Sequence, residues 1–316
     1  MTRIAVLDDY QGVALELADW GPLQAQAEVV VFREPFADED AAVAALQGFD
    51  VACAMRERTP FPATLFARLP QLELLVTTGM RNLAIDLDAA RAHGVTVCGT
   101  QSPGHSASEL AWGLVLALAR RIVAEDRAIR RGLWQTTLGH DLRGRTLGIL
   151  GLGRHGGLAA GYGQAFGMQV LAWSQNLTDA RCAEVGATRV ALDDLLERAD
   201  VLTIHLVMGP RYRGLIGAAQ LARMKPTALL VNTSRGPIVD EAALVAALRE
   251  RRIGGAGLDV YDHEPLAPDH PLLTLPNCVL TSHVGFVTEE TYRTMYGETV
   301  ECVTGWLAGT PLRLLT

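Results

Sequence analysis

The 316-residue sequence has no run of basic residues, no close pair of cysteines and no apolar stretch long enough to cross a bilayer. Twenty-eight Lys and Arg stand against 35 Asp and Glu, a net charge of −7. An acidic chain without a basic cluster argues against nucleic acid as a partner. Five cysteines, Cys53, Cys98, Cys182, Cys278 and Cys302, are odd in number and scattered, with no CxxC or Cys/His ligand spacing. Neither a disulfide framework nor a bound metal is expected from them, and a reducing, cytoplasmic location fits. The longest apolar run, residues 110–119, falls well short of the roughly 20 residues that span a membrane. The chain enters an apolar strand at residues 3–7, which reads as a core element rather than a signal peptide.

What is present is alternation. At this length two domains are the natural expectation. Over residues 1–100, short apolar strands at 4–7, 29–32, 51–55, 72–77 and 95–98 alternate with helical spacing at 41–46, 62–69 and 87–93. That pattern predicts a parallel sheet with helices on both faces, whose ligands meet the loops at the strands' carboxyl ends. Two such loops are Met55-Arg56-Glu57-Arg58, read as an ordinary solvated turn, and residues 77–82. A Gly/Pro/Ser cluster at 99–104 is a candidate hinge. Beyond it Ser106 or Ser108 is expected to cap a helix over 109–121. That helix is apolar on most sides and needs cover from the second domain or another subunit. Through Gly144 the chain reads as a polar loop around Trp134.

A second alternating set has strands at 147–150, 169–173, 201–206, 228–232, 257–260 and 279–281, with helices such as 240–251 between them. A last helix, 289–307, is expected to cross back to the first domain.

The second set opens on Gly151-Leu152-Gly153-Arg154-His155-Gly156, a GxGxxG between a strand and a helix. Gly151 permits a tight turn, Gly153 lets the backbone approach a pyrophosphate, and Gly156 lets helix and strand pack closely, so a dinucleotide is expected there. Three further stretches follow late strands. Residues 231–236 place Arg235 beyond one strand, residues 258–265 place Asp259 and Glu264 beyond another, and residues 281–285 place His283 beyond the next.

Hydride exchange at a hydroxyl or ketone carbon needs a proton donor and acceptor for the oxygen, and histidine suits that task. His283 is the candidate acid/base, with Glu264 stabilising its imidazolium and fixing its tautomer. Arg235 suits a substrate carboxylate through two-pronged bonding, with a salt bridge between loops as the plain alternative. His205 is read inside a strand, either beside the cofactor or structural. His155 is read as a pyrophosphate contact or a solvated helix start. His93, His105, His140, His263 and His270 are read as surface, and Asp240 and Glu241 as acids favoured by a helix dipole.

GLGRHG, NTSRG, GLDVYDHEP and SHVG, in this order and spacing, resemble the D-isomer-specific 2-hydroxyacid dehydrogenases over essentially the whole chain. The resemblance implies an α/β fold of two doubly wound parallel-sheet domains, with a Rossmann coenzyme domain (101–285) inserted in a flavodoxin-like substrate domain (1–100 plus 286–316). It implies an active site in the cleft and a homodimer formed through the coenzyme domain, where the apolar helix from Glu109 matches the contact. It makes His283, Glu264 and Arg235 the catalytic set and Asp259 the holder of the nicotinamide carboxamide. The expected cofactor residues are Gly151, Gly153, Arg154, His155, Gly156, Ser174, His205, Thr233, Asp259 and His283. Gly79, Met80 and Arg81, with Arg235, are expected to bind substrate.

Three departures stand out. His155 replaces an isoleucine, Ser282 a proline, and Arg81 the usual second glycine of the substrate loop, so the resemblance does not specify which acid is used. At the end of the second coenzyme strand Ser174 stands where an acid would bond the ribose of NAD, and Arg181 is the nearest arginine. NAD is favoured and NADP left open. The expected activity is NAD(P)-dependent oxidoreduction of a small 2-oxo or D-2-hydroxy acid. A dinucleotide-sensing regulatory protein of the same fold is the alternative.

Overall fold

Strands β1 (Thr2–Val6), β2 (Ala27–Val31), β3 (Val51–Ala54), β4 (Leu74–Thr77) and β5 (Thr96–Gly99) form a parallel sheet in the order β2-β1-β3-β4-β5. A computed structural model describes all 316 residues, and the sheet belongs to a unit of residues 1–103 and 287–316. Every residue of β3 and β4 is buried, the burial expected of parallel strands covered on both faces. Phe61, Leu65, Phe66, Leu75 and Val97 anchor one core. The helix Glu289–Leu307 belongs to this unit and buries Tyr292, Met295, Tyr296 and Cys302. The chain after it runs along the edge strand β5. Gly99 N–H donates to Arg313 O (3.0 Å), Leu315 N–H donates to Val97 O (2.8 Å), and Cys98 pairs antiparallel with Leu314. An exposed sheet edge is thereby covered.

Residues 104–286 form a second unit with strands β6 (Thr146–Leu150), β7 (Gln169–Trp173), β8 (Thr188–Arg189), β9 (Val201–Ile204), β10 (Leu229–Asn232), β11 (Gly255–Leu258) and β12 (Cys278–Leu280). The order is β12-β11-β10-β9-β6-β7-β8, all pairs parallel. The chain leaves β6 toward β7 and β8, then returns to β9 on the other side. The winding therefore reverses at β6/β9, the position where such sheets bind ligands. The molecule is an α/β protein of two doubly wound parallel sheets. No helix is long and apolar enough to cross a membrane.

The apolar helix spans Ser106–Ala119, and one of its faces is covered within the second unit. Ala111, Leu114, Val115 and Leu118 join the core beneath the sheet. Glycines in β11 make room, since a Cβ on Gly257 would lie 3.0 Å from that of Leu114. Neither Ser106 nor Ser108 caps this helix. Its N-cap is His105, without a side-chain bond, and both serines are buried inside the first turn.

Two elements differ from the sequence expectation. Residues expected as loop include the helix Ile122–Ile129, which buries only Ala128 and starts from Arg121 in the left-handed region, φ 55°. β8 is a two-residue edge strand with both residues exposed.

Candidate active site

The glycine turn after β6 shows why each glycine is needed. Gly151 has φ +95°, and a Cβ on it would meet the His205 carbonyl carbon at 2.8 Å. A Cβ on Gly156 would lie 2.0 Å from Gly151 O, so only glycine lets the helix Arg154–Ala165 seat against the turn. Gly153 is different, because a Cβ there would meet nothing within 4 Å. Gly153 is also the N-cap, and the helix's first turn has neither a side-chain cap nor an acidic residue. Open space faced by a helix start that no side chain caps suits a diphosphate, so these residues fit a dinucleotide.

Around the turn, polar side chains are already positioned. Ser108 Oγ lies 2.9 Å from His155 Nδ1, tying the ring to the apolar helix rather than leaving it solvated. Burial, and then the charge of Arg154, lower the His155 pKa. His205 lies just beyond β9 rather than inside it, its Nε2 3.0 Å from Thr203 Oγ1. Burial holds its pKa down at about 3, with His155 as a lesser cause. The Arg154 guanidinium lies against Gly104, where a Cβ would come within 2.3 Å of Nη1. Ser174 is half-buried at the end of β7. Arg181 reaches the glycine turn itself, donating from Nε to Leu152 O (3.0 Å) and from Nη2 to Gly153 O (3.3 Å), while Nη1 binds Glu184 Oε2 (2.8 Å).

Three loops at the carboxyl ends of β10, β11 and β12 bring the remaining residues together. Asn232, closing β10 and 1 % exposed, shapes the first: its Oδ1 accepts from Ser234 N–H (3.0 Å) and its Nδ2 donates to Arg235 O (2.9 Å). Arg235 is half-buried and Nη1 donates to Ser234 O (2.7 Å). Thr233, beside it, is half-buried too. The next residue must be glycine, because a Cβ on Gly236 would lie 2.0 Å from the Tyr261 carbonyl carbon. The arginine loop and the Asp259–Glu264 loop therefore touch backbone to backbone.

His283, after β12, has φ 56°, a left-handed conformation rare outside glycine. Its Nδ1 is 2.6 Å from Glu264 Oε2, and Glu264 Oε1 accepts from Tyr261 N–H (2.9 Å). Nδ1–H is thus donated to the carboxylate, and Nε2 is the nitrogen left to a substrate. Asp259 holds the loop from beneath. Its Oδ1 accepts from Val284 N–H (2.9 Å) and from the Thr281 hydroxyl (2.5 Å), and its Oδ2 accepts from Gly285 N–H (2.8 Å). Burial raises the Asp259 pKa, opposed by the Thr281 hydroxyl, these two N–H groups and His283. Thr281, Asn232 and Tyr261 were not singled out in the sequence. Their positions at strand ends were visible, but which backbone groups they hold depends on the loops' paths. No group of His, Cys, Asp or Glu is arranged to hold a metal.

Two surface assignments change. His140 and His270 are half-buried, and His270 Nε2 lies 3.0 Å from Glu241 Oε1. Asp240 is the N-cap of Glu241–Arg249 and accepts from Ala243 N–H (3.0 Å).

In the first unit, Met55–Arg58 is a constrained turn rather than a solvated one. Arg56 has φ 55°, its N–H donates to Thr78 Oγ1 (2.8 Å), and Asn82 Nδ2 donates to its carbonyl (2.7 Å). Its guanidinium lies over Gly79, where a Cβ would be 2.0 Å from Nη1. Gly79 gives its own N–H to Thr100 Oγ1 (3.0 Å), which leaves Met80 and Arg81 at the exposed tip of the loop.

Residues 112–285 match the NAD binding domain of the D-isomer specific 2-hydroxyacid dehydrogenases. The chain belongs to that family. It is 42 % identical over 239 residues to a glyoxylate reductase of Aeropyrum pernix, covering 72 % of this chain and 71 % of the relative. It is 38 % identical over 275 residues to a D-3-phosphoglycerate dehydrogenase of Mycobacterium tuberculosis strain H37Rv, covering 86 % of this chain and 52 % of that one, about half its length. The crystal structure of a phosphoglycerate oxidoreductase from Vibrio cholerae o395 superposes with a TM-score of 0.93 at 34 % identity, covering 98 % of this chain and all of the other. The protein is therefore a nicotinamide-dependent oxidoreductase of 2-hydroxy and 2-oxo acids.

Proposed function

We propose that this family member reduces a small 2-oxo acid to its D-2-hydroxy acid, and catalyses the reverse, with His283, Glu264 and Arg235 as the catalytic set. The observation that carries the reading is the pair of His283 Nδ1 and Glu264 Oε2 at 2.6 Å, on a left-handed histidine whose loop is pinned by Asp259. The nicotinamide, when bound, supplies the hydride that reaches the carbonyl carbon. His283 gives the Nε2 proton to the carbonyl oxygen and takes it back in the oxidative direction, while Nδ1–H stays with Glu264. Arg235 pairs with the substrate carboxylate and polarises the carbonyl. On the first unit, the N–H groups of Met80 and Arg81 are the proposed carboxylate donors, Gly79 serving by letting Arg56 lie across it.

Gly151, Gly153 and Gly156 are proposed to receive the diphosphate, with Arg154, His155, His205, Thr233 and Asp259 around the nucleotide. NAD is the proposed cofactor. Arg181, the next arginine after Ser174, is turned toward the glycine turn, with Nε and Nη2 on Leu152 O and Gly153 O and Nη1 on Glu184. A homodimer is proposed through the second unit, at the half-buried Leu110, Trp112 and Leu116 of the apolar helix and at residues 122–138, where Trp134 and Leu138 are 75 % and 87 % exposed and Ile122, Ile129 and Leu133 are exposed too. Five unpaired cysteines support residence in the cytoplasm. Measuring turnover and NADH affinity together tests the assignment. His283→Ala should lower kcat by about 10²–10⁴ with NADH affinity retained, and a wild-type kcat would overturn it.

A further inference from the structure

Glu264 approaches His283 from a loop, residues 261–270, whose aim decides whether carboxylate and imidazole meet. The near end of the loop is fixed by contact of Tyr261 with Gly236 and by the Tyr261 hydroxyl, which donates to Thr281 O (2.7 Å). The far end is fixed by a pair that the reaction itself does not use. Leu272 N–H donates to His270 Nδ1 (3.3 Å), so the ring proton sits on Nε2 and is donated to Glu241 Oε1 (3.0 Å). The other oxygen of the same carboxylate accepts from Asp262 N–H (3.3 Å). One carboxylate thus ties both ends of the segment 262–270 to the first turn of the helix Glu241–Arg249. The Glu241 and His270 side chains are only 20 % and 18 % exposed, so water competes weakly for the bond between them, whereas the Asp262 bond lies at the surface.

We propose that Glu241 and His270 are positioning residues: they brace the loop so that Glu264 stays aimed at His283. The inference rests on the roles proposed above for Glu264 and His283. Asp240, His263 and Arg213 are the other charged or titratable groups around the Asp262 end of the brace, and Asp259 and Tyr261 those around the His283 end. The function of Glu241 extends beyond a helix-dipole acid, because Gln at this position would present one oxygen where two acceptors are needed.

The experiment measures kcat and KM for reduction of a 2-oxo acid, with KM for NADH and the thermal midpoint alongside, in Glu264→Gln, His270→Ala, His270→Gln and Glu241→Ala. Glu264→Gln should lower kcat by about 10²-fold. His270→Ala and Glu241→Ala should lower kcat part of that way, with KM for NADH and the thermal midpoint unchanged. His270→Gln, whose amide N–H replaces Nε2–H, should restore kcat. Wild-type kcat in His270→Ala and Glu241→Ala, beside a lowered one in Glu264→Gln, overturns the brace alone. Wild-type kcat in Glu264→Gln overturns the Glu264–His283 assignment and the brace with it.

Discussion

His205 stays neutral where an exposed imidazole would charge, because burial disfavours the charged ring and His155 stands nearby. Its folded pKa of about 3 lies below the ordinary 6.5, so the unfolded chain binds a proton across that window and the folded chain does not. The stability linked to His205 is complete above pH 6.5 and is lost as pH falls toward 3. His205→Gln should therefore flatten the fall in urea midpoint between pH 7 and pH 4, and an unchanged slope would show that the ring titrates normally in the fold. Arg235 makes a separate prediction. Arg235→Ala should raise KM for the 2-oxo acid and lower kcat, since the same guanidinium is assigned to ground-state binding and carbonyl polarisation. An unchanged KM in steady-state assays would contradict that role. At this scale the sequence named His283, Glu264 and Arg235 by residue type and place after a strand. It could not name Thr281, Asn232 or the Asp259 contacts to Val284 and Gly285, which arise only once three loops converge.

The strand–turn–helix element around Gly151–Gly156 separates fold from function within six residues. A Cβ on Gly153 meets open space, whereas one on Gly156 meets Gly151 O at 2.0 Å. Gly153→Ala should leave the thermal midpoint unchanged while weakening NADH binding, and Gly156→Ala should destabilise the fold by about 1–3 kcal/mol through overpacking. Calorimetric titration with NADH beside thermal unfolding distinguishes them, and equal effects of the two variants on both readouts would sink the distinction. Elements with both faces buried, such as β3, β4 and β10, were legible as apolar runs. The helix Ile122–Ile129 was not, because it is only eight residues long and buries only Ala128, so its apolar residues do not join a core. β8 was not, because two exposed residues make no pattern. The apolar character of Ser106–Ala119 was plain in the sequence, but its cover was not. Glycines in β11 provide it by admitting the helix against the sheet.

At the scale of the molecule, two doubly wound sheets account for the alternation along the chain, and residues 287–316 return to the first unit after the second is complete. The exposed apolar segment around Trp134 and Leu138 is the feature a folded monomer leaves unexplained. Leu138→Asp, at a position 87 % exposed, should leave each chain folded and shift sedimentation from dimer to monomer. A monomeric wild type would overturn the dimer. The central claim is that the glycine turn and the His283–Glu264–Arg235 set together perform hydride exchange on a 2-oxo acid. Its most direct test is oxidation of NADH by the full-length protein across a panel of 2-oxo acids, including glyoxylate and hydroxypyruvate. The predicted result is turnover with at least one of them, abolished in His283→Ala. Tight NADH binding with no turnover on any acid would contradict the account.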